Sequence, residues 1–141
     1  MKKILFIILA LTLWLNAHGQ SLSVKDMANI VADGDNAKEL LTSKSFKQVG
    51  LSAGPLVSYV KNSHTNQEEK IYLSETSVSY LTKNKDYINN LLKQLQKGFH
   101  LISKDDNPSY KFFQFQDSQS QVSVNIPAGT TGYCTITTRG K

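Results

Sequence analysis

The chain has 141 residues, of which 40% are hydrophobic and 19% charged, with a formal net charge of +5 and a single cysteine. That is one domain's length, able to bury a modest core. The basic excess is mild and spread thinly, which argues against a nucleic-acid patch or a membrane-surface patch, and one cysteine excludes an intramolecular disulfide.

At the start, Lys2 and Lys3 precede Ile4 to Leu15, an apolar run broken only by Thr12, and Asn16-Ala17-His18-Gly19 follows. A charged start, a short apolar run and small residues at Ala17 and Gly19 predict an export signal over residues 1–19, cut between Gly19 and Gln20. The run falls short of the roughly 20 apolar residues that a membrane-spanning helix needs. No cysteine stands near the cut to carry a lipid. The expectation is an exported protein, periplasmic or extracellular, whose mature part is a single α+β domain over residues 20–141. Lys2 and Lys3 leave with the leader, lowering the formal charge of +5 by two. Cys134 alternates with Ile136 and reads as a small buried hydrophobe.

Ser23 stands before Val24, Met27, Ile30 and Val31, with Asp26 three residues on. This predicts a short amphipathic helix with a capping-box start. Asp33-Gly34-Asp35-Asn36 stops it, and a second short helix runs through Leu40 and Leu41. The acidic turn is a poor calcium loop, because Ala37 falls where a ligand is needed and Lys38 where the loop needs glycine. A helix–turn–helix connection is the better reading.

From Phe46 the period changes to two. Phe46 to Val49, Leu56 to Lys61, Lys70 to Ser74 and Val78 to Thr82 read as successive strands. Asn84 to Phe99 then carries Ile88, Leu91, Leu92, Leu95 and Phe99 along one stripe, predicting a helix capped by Asn84, with Asp86 in its first turn and Gly98 at its stop. After it come Phe99 to Ile102, Tyr110 to Phe115, Gln121 to Ile126 and Tyr133 to Thr137 as further strands. Asp105-Asp106-Asn107-Pro108, Asp117 to Ser120 and Pro127-Ala128-Gly129 break them.

The fold class is therefore α+β, an antiparallel sheet with helices packed on one face. Leu40-Leu41 before Phe46 matches Leu91-Leu92 before Phe99, and four extended segments follow each. Two explanations stay open: a helix-plus-four-strand unit occurring twice, with halves 20–83 and 84–141, or the ordinary alternation of an α+β domain. In layout alone this resembles the secreted β-lactamase inhibitory proteins, and no residue motif carries over.

Catalytic motifs are weak. Gly50-Leu51-Ser52-Ala53-Gly54 matches the serine nucleophile elbow, with Asp86 and His100 following in hydrolase order. Pro55 and the alternating residues after it remove the helix that the elbow needs. A glycine-rich turn is the better reading. His64, His100 and Cys134 have no partner at metal-ligand spacing, so no metal and no cofactor is expected. Glu68-Glu69 and Asp105-Asp106 read as solvated turns. The aromatic run Tyr110 to Phe115 lacks the glycine-spaced pattern of an RNA-recognition strand. Its core face is either Phe112 or the pair Phe113 and Phe115.

If Val122, Val124, Ile126, Cys134 and Ile136 point inward, then Gln121, Ser123, Asn125, Tyr133, Thr135 and Thr137 point outward. Tyr72 and Ser74 alternate likewise in the first half. Ser118 to Thr138 contains no Asp, Glu, Lys or Arg. A neutral Tyr/Ser/Thr/Asn/Gln surface suits protein recognition, since tyrosine gives rigid contact area and small polar side chains give adaptable hydrogen bonds. Exposed sheets also carry these residues simply because they fit the pleat. The favoured expectation is an exported, non-catalytic protein binding a protein partner or a second copy through these six residues, with an inhibitor or immunity role as one form. The hairpin of Gln121 to Ile126 with Tyr133 to Thr137 would offer its backbone as well if it lay at a sheet edge. The alternative is a periplasmic carrier holding a small apolar ligand near Phe112, Phe115 and the central helix.

Overall fold

The computed structural model describes residues 22–51, 56–62 and 68–141. The predicted leader, Ser52 and His64 lie outside these residues. Helix α1 (Val24–Ala32) opens on the expected capping box. The Ser23 hydroxyl accepts the Asp26 N–H at 3.1 Å, and the Asp26 carboxylate accepts the Ser23 N–H at 2.9 Å. A 3₁₀ turn (Gly34–Asn36) leads into α2 (Ala37–Ser43). Lys44, just past α2, reaches back to Asp26 at 3.0 Å and ties the two helices together. Burial alone would raise the Asp26 pKa. The bonds from Ser23 and Lys44 outweigh it and hold the carboxyl below its ordinary value.

Helix α3 (Lys85–Gly98) starts where Asn84 accepts the Tyr87 N–H at 3.0 Å, with Asp86 in the first turn and Lys97 in the last. Its apolar stripe is narrower than the spacing suggests. Ile88, Leu91 and Leu95 are buried, whereas Leu92 and Phe99 pack only at the border.

The strands are β1 (Lys47–Leu51), β2 (Val57–Asn62), β3 (Glu68–Leu73), β4 (Ser77–Thr82), β5 (His100–Asp106), β6 (Tyr110–Gln116), β7 (Ser120–Pro127) and β8 (Cys134–Gly140). They form one antiparallel eight-stranded sheet in the order β1-β2-β3-β4-β8-β7-β6-β5. Each half of the chain makes a four-strand meander, and the two meanders join through their last strands, with Tyr80 opposite Ile136. The hairpin β7–β8 is therefore central, and its backbone is not an edge. Both edges of β8 are taken, by β4 and β7; the exposed flanks are β1 and β5. Two turn assignments also give way. Asp105 and Asp106 complete β5, and Glu68-Glu69 open β3 with Glu69 only 6% exposed.

One face of the sheet meets the helices. A cross-strand row on it runs Phe113, Val124, Ile136, Tyr80, Ile71, Tyr59. Beside it lie Phe115, Val122, Thr138 and Val78, all buried. This settles the aromatic run: Phe113 and Phe115 face the core, stacked with centroids 6.4 Å apart, and Phe112 faces away. Tyr80 meets Phe46 edge-on at 6.3 Å and Tyr87 edge-on at 5.6 Å. Cys134 is buried as expected, and burial pushes its thiol pKa up, against a smaller lowering by Lys85.

The described chain begins with a firm anchor. Leu22 is 0% exposed, and the Tyr87 hydroxyl donates to its carbonyl. Burial, with smaller contributions from the charges of Glu69 and Asp26, raises the Tyr87 pKa well above 10. A raised phenol pKa means stability that is full below the unfolded pKa of about 10 and declines as pH rises beyond it. Tyr87→Phe should cost about 1–3 kcal/mol at neutral pH, because the Leu22 carbonyl loses its donor. The gap between wild type and variant should shrink above pH 10 in urea titrations. A gap constant through pH 11 would separate this phenol from the anchor.

Candidate functional site

The other face of the sheet carries no described helix. The buried side chains of α1, α2 and α3 belong to the single core on the opposite face. Ser103, Gln114, Ser123, Thr137, Ser79, Tyr72 and Ser58 stand opposite one another in a row that crosses seven neighbouring strands. None of them is charged. Ser79 and Thr137 hydrogen-bond through their hydroxyls at 3.0 Å, which fixes the centre of the row. The next row places Phe112, Asn125, Thr135 and Leu81 side by side, flanked by Asp105 at one end and Lys70 and Lys47 at the other. The result is a neutral patch with some apolar surface at its middle and charges at its margins.

The predicted outward residues fall within this arrangement. Gln121, Ser123, Asn125, Thr135 and Thr137 share the open face, paired across β7 and β8 or with their outer neighbours. Tyr133 lies just before β8, not within it, and marks one end of the face. Its ring has the Lys83 ammonium at 4.8 Å and the Lys70 ammonium at 5.5 Å, and its hydroxyl points at Glu68 from 3.5 Å. Lys70 and Glu68 pair at 2.8 Å, which lowers the carboxyl pKa and raises that of the ammonium. Tyr133 is thus held by charged neighbours, and the neutral centre lies further along the strands. Phe112, Gln114, Ser79 and Leu81 complete that centre and were missed from the sequence. The alternation through Val78 to Thr82 would have placed Ser79 and Leu81. Nothing local decides between Phe112 and Phe113.

The hydrolase pairing fails on geometry. Asp86 sits in the first turn of α3, and His100 follows its last. From Asp86 the helix runs on through Gly98, which separates the two by about 18 Å at 1.5 Å per residue. The carrier expectation also misplaces its ligand. Phe115 is 0% exposed in a packed core, and Phe112 is on the far side of the sheet.

Comparison with known proteins gives no match: not among family models, nor curated sequences, nor solved structures. The likeness of layout noted from the sequence gains no support there.

Proposed function

We propose that this chain is an exported, non-catalytic protein that binds another protein through its open sheet face. The observation that carries the reading is the uncharged row from Ser103 to Ser58, backed by Phe112, Thr135 and Leu81 in the adjacent row. A face with neutral hydroxyls and amides around Tyr72, Phe112 and Leu81 can exclude water at its centre without stranding a charge. The margins, Lys47, Lys70, Lys83 and Arg139 against Glu68 and Asp105, are net basic and favour a partner with an acidic rim. Export rests on the leader, and the anchored Leu22 sits three residues beyond the expected cut. The test is to isolate the protein from the exported fraction, whose first residue should be Gln20, and to identify the protein that accompanies it. Thr135→Lys should abolish that association while the thermal melt stays put, and Lys93→Glu on the exposed side of α3 should leave it intact. An unchanged complex with Thr135→Lys would remove the open face from the interface.

The topology also supports a common origin for the two meanders, α2 with β1–β4 and α3 with β5–β8. On this reading a tandem chain of two copies of residues 84–141 folds into an eight-stranded sheet with native-like strand content by circular dichroism. A molten or aggregated product would count against it.

A further inference from the structure

On the helix side, α1 presents two apolar stripes. Met27 and Ile30 are buried against the sheet. Val24, Ala28 and Val31, spaced i, i+4, i+7, are only half-buried because they face a groove of about 820 Å³. Leu95 and Phe99 of the central helix line its other wall, and Gly140 closes the end so closely that an added Cβ would come within 3.2 Å of the Val31 side chain. The volume falls within the range of small-molecule sites. Lys25, Arg139 and Lys141 also line it, and the one acidic residue on its lining is Asp117. That carboxylate is already engaged, accepting from the Gln119 N–H at 2.8 Å and from the Ser120 N–H and hydroxyl at 2.7 and 3.1 Å. Lys141 donates to the Asp117 carbonyl at 2.6 Å; burial alone would raise the Asp117 pKa, but the bonds from Gln119 and Ser120 and the charge of Lys141 outweigh it and hold the carboxyl below its ordinary value. Among the described residues no salt bridge involves Lys25 or Lys141.

We propose that this groove binds a long-chain monocarboxylate, its alkyl chain along Val24, Ala28, Val31, Leu95 and Phe99 and its head group between Lys25 and Lys141. The argument is charge complementarity. An apolar trough whose lining carries Lys25, Arg139 and Lys141 against the one carboxylate of Asp117 suits an amphiphile carrying a negative charge, and an uncharged lipid would leave that excess unused. The site lies on the helix side of the sheet, away from the neutral centre of the protein-binding face, with Arg139 at its border.

The test is titration of the purified protein with cis-parinarate, a fluorescent carboxylate, followed by displacement with oleate and with oleyl alcohol. Saturable one-to-one binding is expected, with oleate displacing at least about tenfold better than the alcohol, a difference of 1.4 kcal/mol. Lys25→Glu combined with Lys141→Glu should weaken binding by a similar factor or more with the melt unchanged. Ala28→Trp fills the trough and should abolish binding; Ala28→Gln serves the same end if the larger side chain unfolds α1. No saturable binding, equal displacement by acid and alcohol, or full affinity in the filled variant would each overturn the proposal. So would a change in particle mass on filling the groove, which would mark it as a contact between copies.

Discussion

Phe115→Ala should lower stability by about 3–5 kcal/mol, while Phe112→Ala should cost about 1 kcal/mol or less. The two residues lie on one strand with opposite parity. Phe115 is 0% exposed, opposite Val122 and stacked on Phe113 at 6.4 Å. Truncation there removes a large ring from a region closed on all sides, and the surrounding sheet and helices can collapse only partly. Phe112 is half-buried on the open face opposite Asn125, where water fills the space that its ring leaves. Urea unfolding with unchanged m-values is the measurement. Similar losses at the two positions would mean that the open face is packed against something, and the binding surface would have to be sought elsewhere. Phe112→Ala should also weaken partner association, since aromatic anchors near the centre of an interface carry much of its energy.

The local elements were legible because their signals are local. Ser23 with Asp26, Asn84 with Tyr87, and the switch from period 3.6 to period 2 at Phe46 each act within a few residues. They place three helices and eight strands close to where they lie. What was not legible depends on distant pairing. The contact of β4 with β8 joins Tyr80 to Ile136, and no feature of either strand announces it. Only that pairing turns β8 from a candidate edge into the middle of the sheet. The aromatic run hid its inward face because Phe112, Phe113 and Phe115 occupy both parities. Glu69 read as a turn acid because charge usually signals solvent, yet it is on the core side of β3. The groove was beyond reach for another reason. Val24 and Val31 read as part of the helix's core face with Met27 and Ile30, and their half-exposure follows from the groove that they line together with Leu95 and Phe99.

The separation of the two faces has a physical consequence for function. The helix side supplies the burial that holds the domain together, with no disulfide among the described residues to share the task. The open side is left free of that task, and on the proposed function its side chains serve recognition. Substitutions on the open rows should therefore change binding with little effect on folding, and those on the inner rows the reverse.

Leu91→Ala should cost about 2–5 kcal/mol, the second large effect. Helix α3 is fourteen residues long, which is marginal for an isolated helix in water. It persists because Ile88, Leu91 and Leu95 are buried against the sheet, and it is the link between β4 and β5, the two meanders. Alanine is the best helix former, so the substitution does not weaken the helix itself. The loss comes from packing alone. Leu92, one residue on, is only partly covered, so Leu92→Ala should lose less, in step with the area it leaves exposed. Lys93→Ala, on the solvent side, should change stability by under about 0.5 kcal/mol. Hydrogen exchange along α3 would show where the destabilisation acts: Leu91→Ala should release the helix amides first, with the central β8 amides exchanging only on global unfolding. Equal costs at Leu91 and Leu92 would rotate the helix on the sheet and bring back the broader stripe that the spacing of its leucines suggests.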